Sequence, residues 1–279
     1  MDISIVTPSF RQPQWLRLCL SSVADQEGVA LEHLVQDSCS GPEVEALASE
    51  FPHARFVIEK DEGMYDAVNR GLRQSSSDIC AYINCDEQYL PGALAKVVRH
   101  MKQHPDIDIL FGDVVVTDEH GRYTCSRQVL PPRYAHTKSC YFSTFTAAMF
   151  FRRRILEDHG MYFDTAWKDL GDAEWGLRAF GAGLKMGVLR AYVASFVDTG
   201  ENMNLGENAK REYQRLRSQP PRWPVYLSRV WQAHHRLRRL VHGLYWPQPF
   251  SYAVYTLDEP DRRRTIDVQR PTALWRSRL

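Results

Sequence analysis

"DICAYINCDE", Asp78–Glu87, is the stretch on which the fold turns. Ile79, Ala81 and Ile83 alternate with Cys80 and Tyr82 in a β-rich run apolar enough to cross a core. It then stops on Asn84, Asp86 and Glu87. Adjacent carboxylates at the end of a buried strand repel each other and lose hydration, so something positive is expected beside them.

The same strand-then-helix grammar runs through the flanking sequence. Ile3 to Thr7 reads as a strand, followed by a helix from Pro13 to Ala24; "LEHLVQD" precedes a helix from Pro42 to Phe51. "ARFVIE" precedes a helix from Met64 to Gln74, and the Asp78 strand precedes one from Pro91 to Gln103. Proline at a first helical position is a start signal. Four such repeats predict an α/β fold, with a mainly parallel central sheet flanked by helices on both faces. Ligands of such sheets sit beyond the carboxyl ends of the strands. That puts Thr7–Ser9, Asp37–Ser38, Lys60–Asp61 and Asn84–Glu87 along one rim.

Further on the pattern changes. "DILFGDVVVTDEHGRYTCSR" reads as a hairpin turning at Glu119-His120-Gly121, and "TFTAAMFFRRRILEDHG" as a strand entering a helix that ends near Gly160. "GDAEWGLRAFGAG" reads as a helix ended by Gly181 or Gly183. From Arg222, an apolar stripe (Trp223, Tyr226, Leu227, Val230, Trp231, His234, Leu237, Leu240, Val241, Leu244) predicts a basic amphipathic helix. "FSYAVYTL" and "RRRTIDVQRP" predict a closing hairpin.

The overall charge of +1 conceals a polarity. Leu216–Leu279 holds twelve Arg, no Lys and four acidic residues, a net of +8, against −7 for residues 1–215. A division at 215/216 follows, with the basic tail expected to meet a phospholipid surface, a phosphorylated substrate or a second copy of the chain. No nucleic-acid partner is expected. None of the six cysteines forms a CxxC pair, and the chain opens directly on strand-like sequence without a secretory signal. A reducing cytosolic compartment, peripheral on the membrane if attached at all, is therefore expected. No run approaches the ~18 apolar residues that span a bilayer.

Asp86 is the natural ligand for Mg²⁺ or Mn²⁺, which prefer carboxylate oxygens and take the rest of their shell from water and substrate phosphates. A nucleotide diphosphate is the expected partner of such a cation. "ISIVTPSF", "VQDSCSGP", "EKDEGMYDAVNRGL" and "YINCDEQYLPGAL" then follow one another at a spacing that resembles the family 2 glycosyltransferases of GT-A fold. The third is similar to the D-x-G-x-Y-D-A-x-N-x-G signature of bacterial enzymes that assemble surface polysaccharides. "GDAEWGLRAFGAG" resembles the family's late acidic segment, and the likeness covers roughly residues 2–205.

The resemblance implies a catalytic, nucleotide-sugar-binding domain over 1–215 and a separate C-terminal extension over 216–279. It implies that Thr7, Pro8 and Ser9 line the base pocket, with Asp37 on the base edge. Asp61, Tyr65, Asp66 and Asn69 would form the wall beside base, ribose or donor sugar. Asn84 and Asp86 occupy the outer positions of D-x-D, Asp86 binding the metal, and Asp172 matches the catalytic base. Two departures stand out: Asn84 replaces the first Asp, and Glu87 stands where a second Asp is usual, leaving open whether it meets metal, sugar or acceptor. Trp175 and Arg178 follow the base at helical spacing as acceptor-side contacts.

Plainer readings compete. Asp37 serves equally as a cap before the Pro42 helix, Tyr65 and Trp175 as core, and Glu174 as the rival base. Asp66 and Asn69 are expected to face the polar rim. The implied activity is inverting, metal-dependent transfer of a sugar from a nucleotide-sugar, UDP favoured, to a saccharide or lipid-linked saccharide acceptor. The alternative is an inactive nucleotide-sugar-binding scaffold. A dinucleotide-dependent oxidoreductase is excluded, because "TPSFRQPQ" stands where G-x-G-x-x-G would follow the first strand.

Overall fold

A computed structural model describes residues 1–198 and 206–275. Residues 199–205, at the end of the family-like region, and 276–279 of the tail lie outside the described residues. Strands β1 (Ile3–Ser9), β2 (Leu31–Asp37), β3 (Ala54–Ile58) and β4 (Ile79–Tyr82) alternate with helices α1 (Pro13–Ala24), α2 (Pro42–Glu50) and α3 (Met64–Gln74). Prolines open α1 and α2, as the sequence predicts. Next come β5 (Gln88–Tyr89), α4 (Ala93–Gln103), β6 (Ile109–Thr117), β7 (Tyr123–Arg127) and α5 (Tyr134–Ser139). The core ends with β8 (Met149–Arg152), α6 (Arg154–His159), α7 (Gly171–Gly181) and β9 (Met186–Val197). Helix α4 starts two residues later than expected, because Gly92 takes a left-handed conformation (φ +66°) that turns the chain before the helix.

The sheet runs β3-β2-β1-β4-β8-β6-β9-β5, with β7 paired to β6 as the expected hairpin. β1 is parallel to β2 and β4, and β2 to β3; β8 runs antiparallel between β4 and β6, and β5 antiparallel to β9. Every residue of β1 is buried, as expected of a central parallel strand covered on both faces. Its alternate side chains feed two cores. Ile3 and Ile5 pack with Val23 of α1 and with Leu94 and Val97 of α4, while Val6 packs with Val68 and Leu72 of α3 and with Trp175 of α7.

Register aligns the strand ends. Ser9 lies opposite Asp37, Asp37 opposite Ile58, and Val6 opposite Tyr82. The expected rim is therefore one edge of the sheet.

The C-terminal extension wraps back onto this body. Position 216 falls inside α8 (Glu207–Ser218), where Leu216 packs on Trp167 and Ala173. α9 (Trp223–Tyr226) and α10 (Ser228–Val241) follow, then the antiparallel hairpin β10 (Phe250–Val254) and β11 (Arg264–Val268). Tyr252, Val254 and Val268 of the hairpin cover Leu90 and Val115. No helix among the described residues is long and apolar enough to cross a bilayer.

Helix α10 carries the apolar stripe on its outer side. The helix docks through His235 and Arg239, and leaves Val230, Leu237, Leu240 and Val241 exposed.

Candidate active site

The rim is assembled by backbone bonds between successive strand ends. Ser38 donates its N–H to Ser9 O (3.0 Å), Glu59 to Asp37 O (3.0 Å) and Ile83 to Val6 O (2.9 Å). Asp61 donates its N–H to Ser38 Oγ (3.2 Å) and accepts from Gly63 (2.9 Å), shaping the loop into α3.

Several rim residues turn out to be committed elsewhere. Thr7 is fully buried, with Oγ1 against His33 Nε2 at 2.9 Å, so its side chain faces the core rather than a ligand. Pro8 is buried, and Ser9 Oγ is buried with no partner. Asp37 accepts both the N–H (2.8 Å) and hydroxyl (2.6 Å) of Ser40, the geometry of a turn-capping carboxylate. Asp66 is bound by Glu62 N–H (3.1 Å) and Arg70 (2.7 Å).

Asn69 does not face the rim. It is 2 % exposed and clasps the backbone of Phe163, donating to its carbonyl (2.7 Å) and accepting from its N–H (2.8 Å). Trp175 is likewise core, fully buried, stacked on Phe163 and donating Nε1–H to Met161 O (2.7 Å); no surface remains for an acceptor. Arg178 spends its guanidinium on Glu174 and on Tyr162 O (2.7 Å).

The strand-end carboxylates keep unmet capacity. Glu87 is 2 % exposed; its Oε2 accepts from Asn84 N–H (3.0 Å), while Oε1 and Asn84 Oδ1 are buried without partners. Burial pushes the carboxyl of Asp86 up, and burial together with the charge of Asp86 pushes that of Glu87 up strongly. Among the described residues no three His, Cys, Asp or Glu side chains converge on one metal position. Asp86 with two orphaned oxygens beside it suits a hard divalent cation that takes the rest of its shell from non-protein oxygens.

Facing this edge, α7 brings in Asp172. It lies in the helix's first turn, where Tyr65 Oη accepts its N–H (3.1 Å) and its own Oδ1 accepts from Ala173 N–H (2.8 Å). This contact needs Gly171, since a Cβ there would fall 2.5 Å from the Tyr65 ring. Burial pushes the Asp172 carboxyl up to about 6. After burial itself, Asp172 is the main influence raising the Tyr82 phenol, with Glu87 a weaker one, so the two carboxylates act on the same ring at the end of β4. The rival Glu174 is ion-paired with Arg178, whose Nε–H is shared by both carboxylate oxygens (2.8 and 3.0 Å).

Two further carboxylates are committed by the fold: Glu212, which the sequence did not single out, and Asp113, which reads in sequence as a turn residue but lies inside a strand. Glu212 of α8 accepts the N–H groups of Lys168 (2.7 Å), Asp169 (3.0 Å) and Leu170 (2.8 Å), gripping the loop that launches α7. Asp113, inside β6, accepts from Arg190 (2.7 Å) and from Val129 N–H (2.9 Å); burial outweighs both and pushes its carboxyl up to about 6. Their partners lie far off in sequence, 42–44 positions from Glu212 and 16–77 from Asp113, so the contacts themselves are not legible there.

The model of Glycosyl transferase family 2 matches residues 4–160. An uncharacterized glycosyltransferase of Bacillus subtilis, YwdF, is 26% identical over 272 residues, 95% of this chain and 92% of its own length. A PGL/p-HBAD biosynthesis glycosyltransferase of Mycobacterium bovis is 26% identical over 208 residues, 71% of this chain and 77% of its own. Among solved structures, S. aureus TarS 1-349 in complex with UDP-GlcNAc superposes with a TM-score of 0.64 at 17% identity, over 77% of this chain and 64% of that one. With its sheet order, strand-end site and helix-borne carboxylate, this GT-A-fold chain belongs to the family 2 glycosyltransferases.

Proposed function

We propose that the chain is an inverting glycosyltransferase that moves a sugar from a nucleotide-sugar, UDP favoured, to a saccharide acceptor on a lipid carrier, in the assembly of a bacterial surface polysaccharide or lipopolysaccharide. One observation carries the reading: Asp172, raised to about 6 by burial, is held by Tyr65, whose ring stacks on Phe163 against Tyr82 at the end of β4, the strand that runs into the under-coordinated Asn84–Glu87 edge. The TarS complex with UDP-GlcNAc supports a UDP-sugar donor. The relative named for PGL/p-HBAD biosynthesis supports a role in glycoconjugate assembly. Six free cysteines, five of them buried, support a reducing, cytoplasmic setting.

Asp172 accepts the proton of the acceptor hydroxyl as that oxygen bonds to the anomeric carbon. On the opposite side the bond from anomeric carbon to phosphate oxygen breaks, and the nucleoside diphosphate leaves with the electron pair. Tyr65 and Gly171 fix where Asp172 stands. A Mn²⁺ or Mg²⁺ held by Asp86, next to Asn84 and Glu87, would supply the positive charge that the departing diphosphate requires.

Calorimetric titration of UDP, GDP and dTDP, with and without Mn²⁺, tests this on the wild type and on Asp86→Ala. The expected result is Mn²⁺-dependent binding of UDP that the substitution weakens at least about tenfold. Absence of nucleotide binding under every condition would leave the donor site without support. Binding without turnover on any lipid-linked glycan would favour the inactive scaffold.

A further inference from the structure

Helix α10 is mounted with its polar side inward. His235 stacks on His136 of α5 at 4.3 Å, and burial pulls both imidazoles down, to about 3 and about 4, leaving them neutral. Arg239 is buried and donates to Gln128 O (2.9 Å), and Arg238 donates to Pro131 O (3.1 Å). The opposite side carries Val230, Leu237, Leu240 and Val241 into solvent, extended by Tyr226 and Trp223 before the helix and Trp246 after it. Tyr226 and Val241 are 78% and 76% exposed, values that no packed side chain reaches. A helix that turns His235 and Arg239 inward and presents its aliphatic side outward is built to meet something apolar.

Charge selects what that is. From Tyr213 to Leu257 the sequence has seven arginines and no acidic residue, within a chain of net charge only +1. Arg222, Arg229 and Arg236 are exposed around the stripe. A two-fold contact through this face would bring the arginines of both copies together with no acidic residue of the segment to offset them. An anionic bilayer instead offers phosphates to the guanidinium groups, hydrocarbon to the aliphatic stripe, and a headgroup layer to Trp223, Tyr226 and Trp246.

We infer that α9–α10 is a membrane-docking surface that lies in the interface of an anionic lipid bilayer. Helix α10 packs on α5, and α5 on α7, so α10 and α5 together connect the docked bilayer to the helix that carries Asp172. That last link, to a lipid-linked acceptor, rests on the transferase reading; the docking itself does not.

Flotation of the full chain on phosphatidylglycerol–phosphatidylcholine vesicles, against pure phosphatidylcholine, provides the test. Binding to the anionic vesicles should be at least about tenfold stronger and should fall with added salt. Leu237→Glu with Val241→Glu, at exposed positions, should abolish it while leaving the thermal midpoint and nucleotide titration unchanged; Arg229→Glu with Arg236→Glu should weaken it. Equal affinity for the two vesicle types, no flotation, or full flotation of the Leu237→Glu/Val241→Glu variant overturns the inference. So does a sedimenting dimer that this variant dissociates in the absence of any vesicle binding. Vesicle binding in a chain that binds no nucleotide would sink the transferase reading alone.

Discussion

Asp172 and Glu174 are two carboxylates in the first turn of one helix, and their surroundings assign them different work. Arg178 occupies Glu174, whereas Asp172 is held by neutral donors and raised to about 6 by burial. At neutral pH it is ionised and able to take a proton. Because the deprotonated form is the active one, kcat/KM should fall as pH drops through about 6, with a limb that follows one ionisation. Asp172→Asn should lower kcat by about 10²–10⁴ and leave nucleotide affinity intact. A loss below about tenfold, or an acid limb that persists in the variant, would move the role of base elsewhere. Asn69 carries the opposite lesson. Its place in a family-like motif made it a site candidate, yet its amide holds Phe163, which stacks on Tyr65, so its contribution reaches the site through packing.

At the scale of elements, the loop 168–170 and its anchor decide where α7 begins. Three N–H groups converge on the one Glu212 carboxylate, and its negative charge also helps to raise Asp172. Glu212→Gln replaces one acceptor oxygen by an amide that points donors at donors, at a cost of about 1–3 kcal/mol. The variant should melt lower, lose kcat more than donor affinity, and move the acid limb to lower pH. An unchanged limb with lowered stability would reduce Glu212 to a structural brace. Elements of this kind divide by how local their causes are. The first three helices and the β6–β7 hairpin were legible because their prolines, apolar alternation and turn residues lie within the element. Strand ends gave the rim for the same reason. Glu212, the Asn69 clasp and the burial of Trp175 were not legible, because each depends on a partner on a different element. Periodicity located the stripe on α10, but a period does not say which side of a helix the rest of the protein will cover.

At the scale of the molecule, the charge polarity of the sequence does not separate two bodies. α8 braces α7, and the β10–β11 hairpin closes the far edge of the sheet: Gln88 and Tyr255 exchange hydrogen bonds of 2.8 and 2.9 Å, and Arg263 donates to Tyr89 O (2.9 Å). A chain ended before Phe250 should therefore lose stability by several kcal/mol and melt about 5 °C lower or more, as scanning calorimetry would record. Melting unchanged by that deletion would make the hairpin an appendage. Synthesis adds a consequence. Leu90 and Val115 leave the ribosome some 10–30 s before the hairpin that covers them, at about 5–20 residues per second. During that interval the nascent chain displays an unfinished sheet edge for chaperones to hold, and a message broken before the last codons yields a product that proteases can recognise as incomplete.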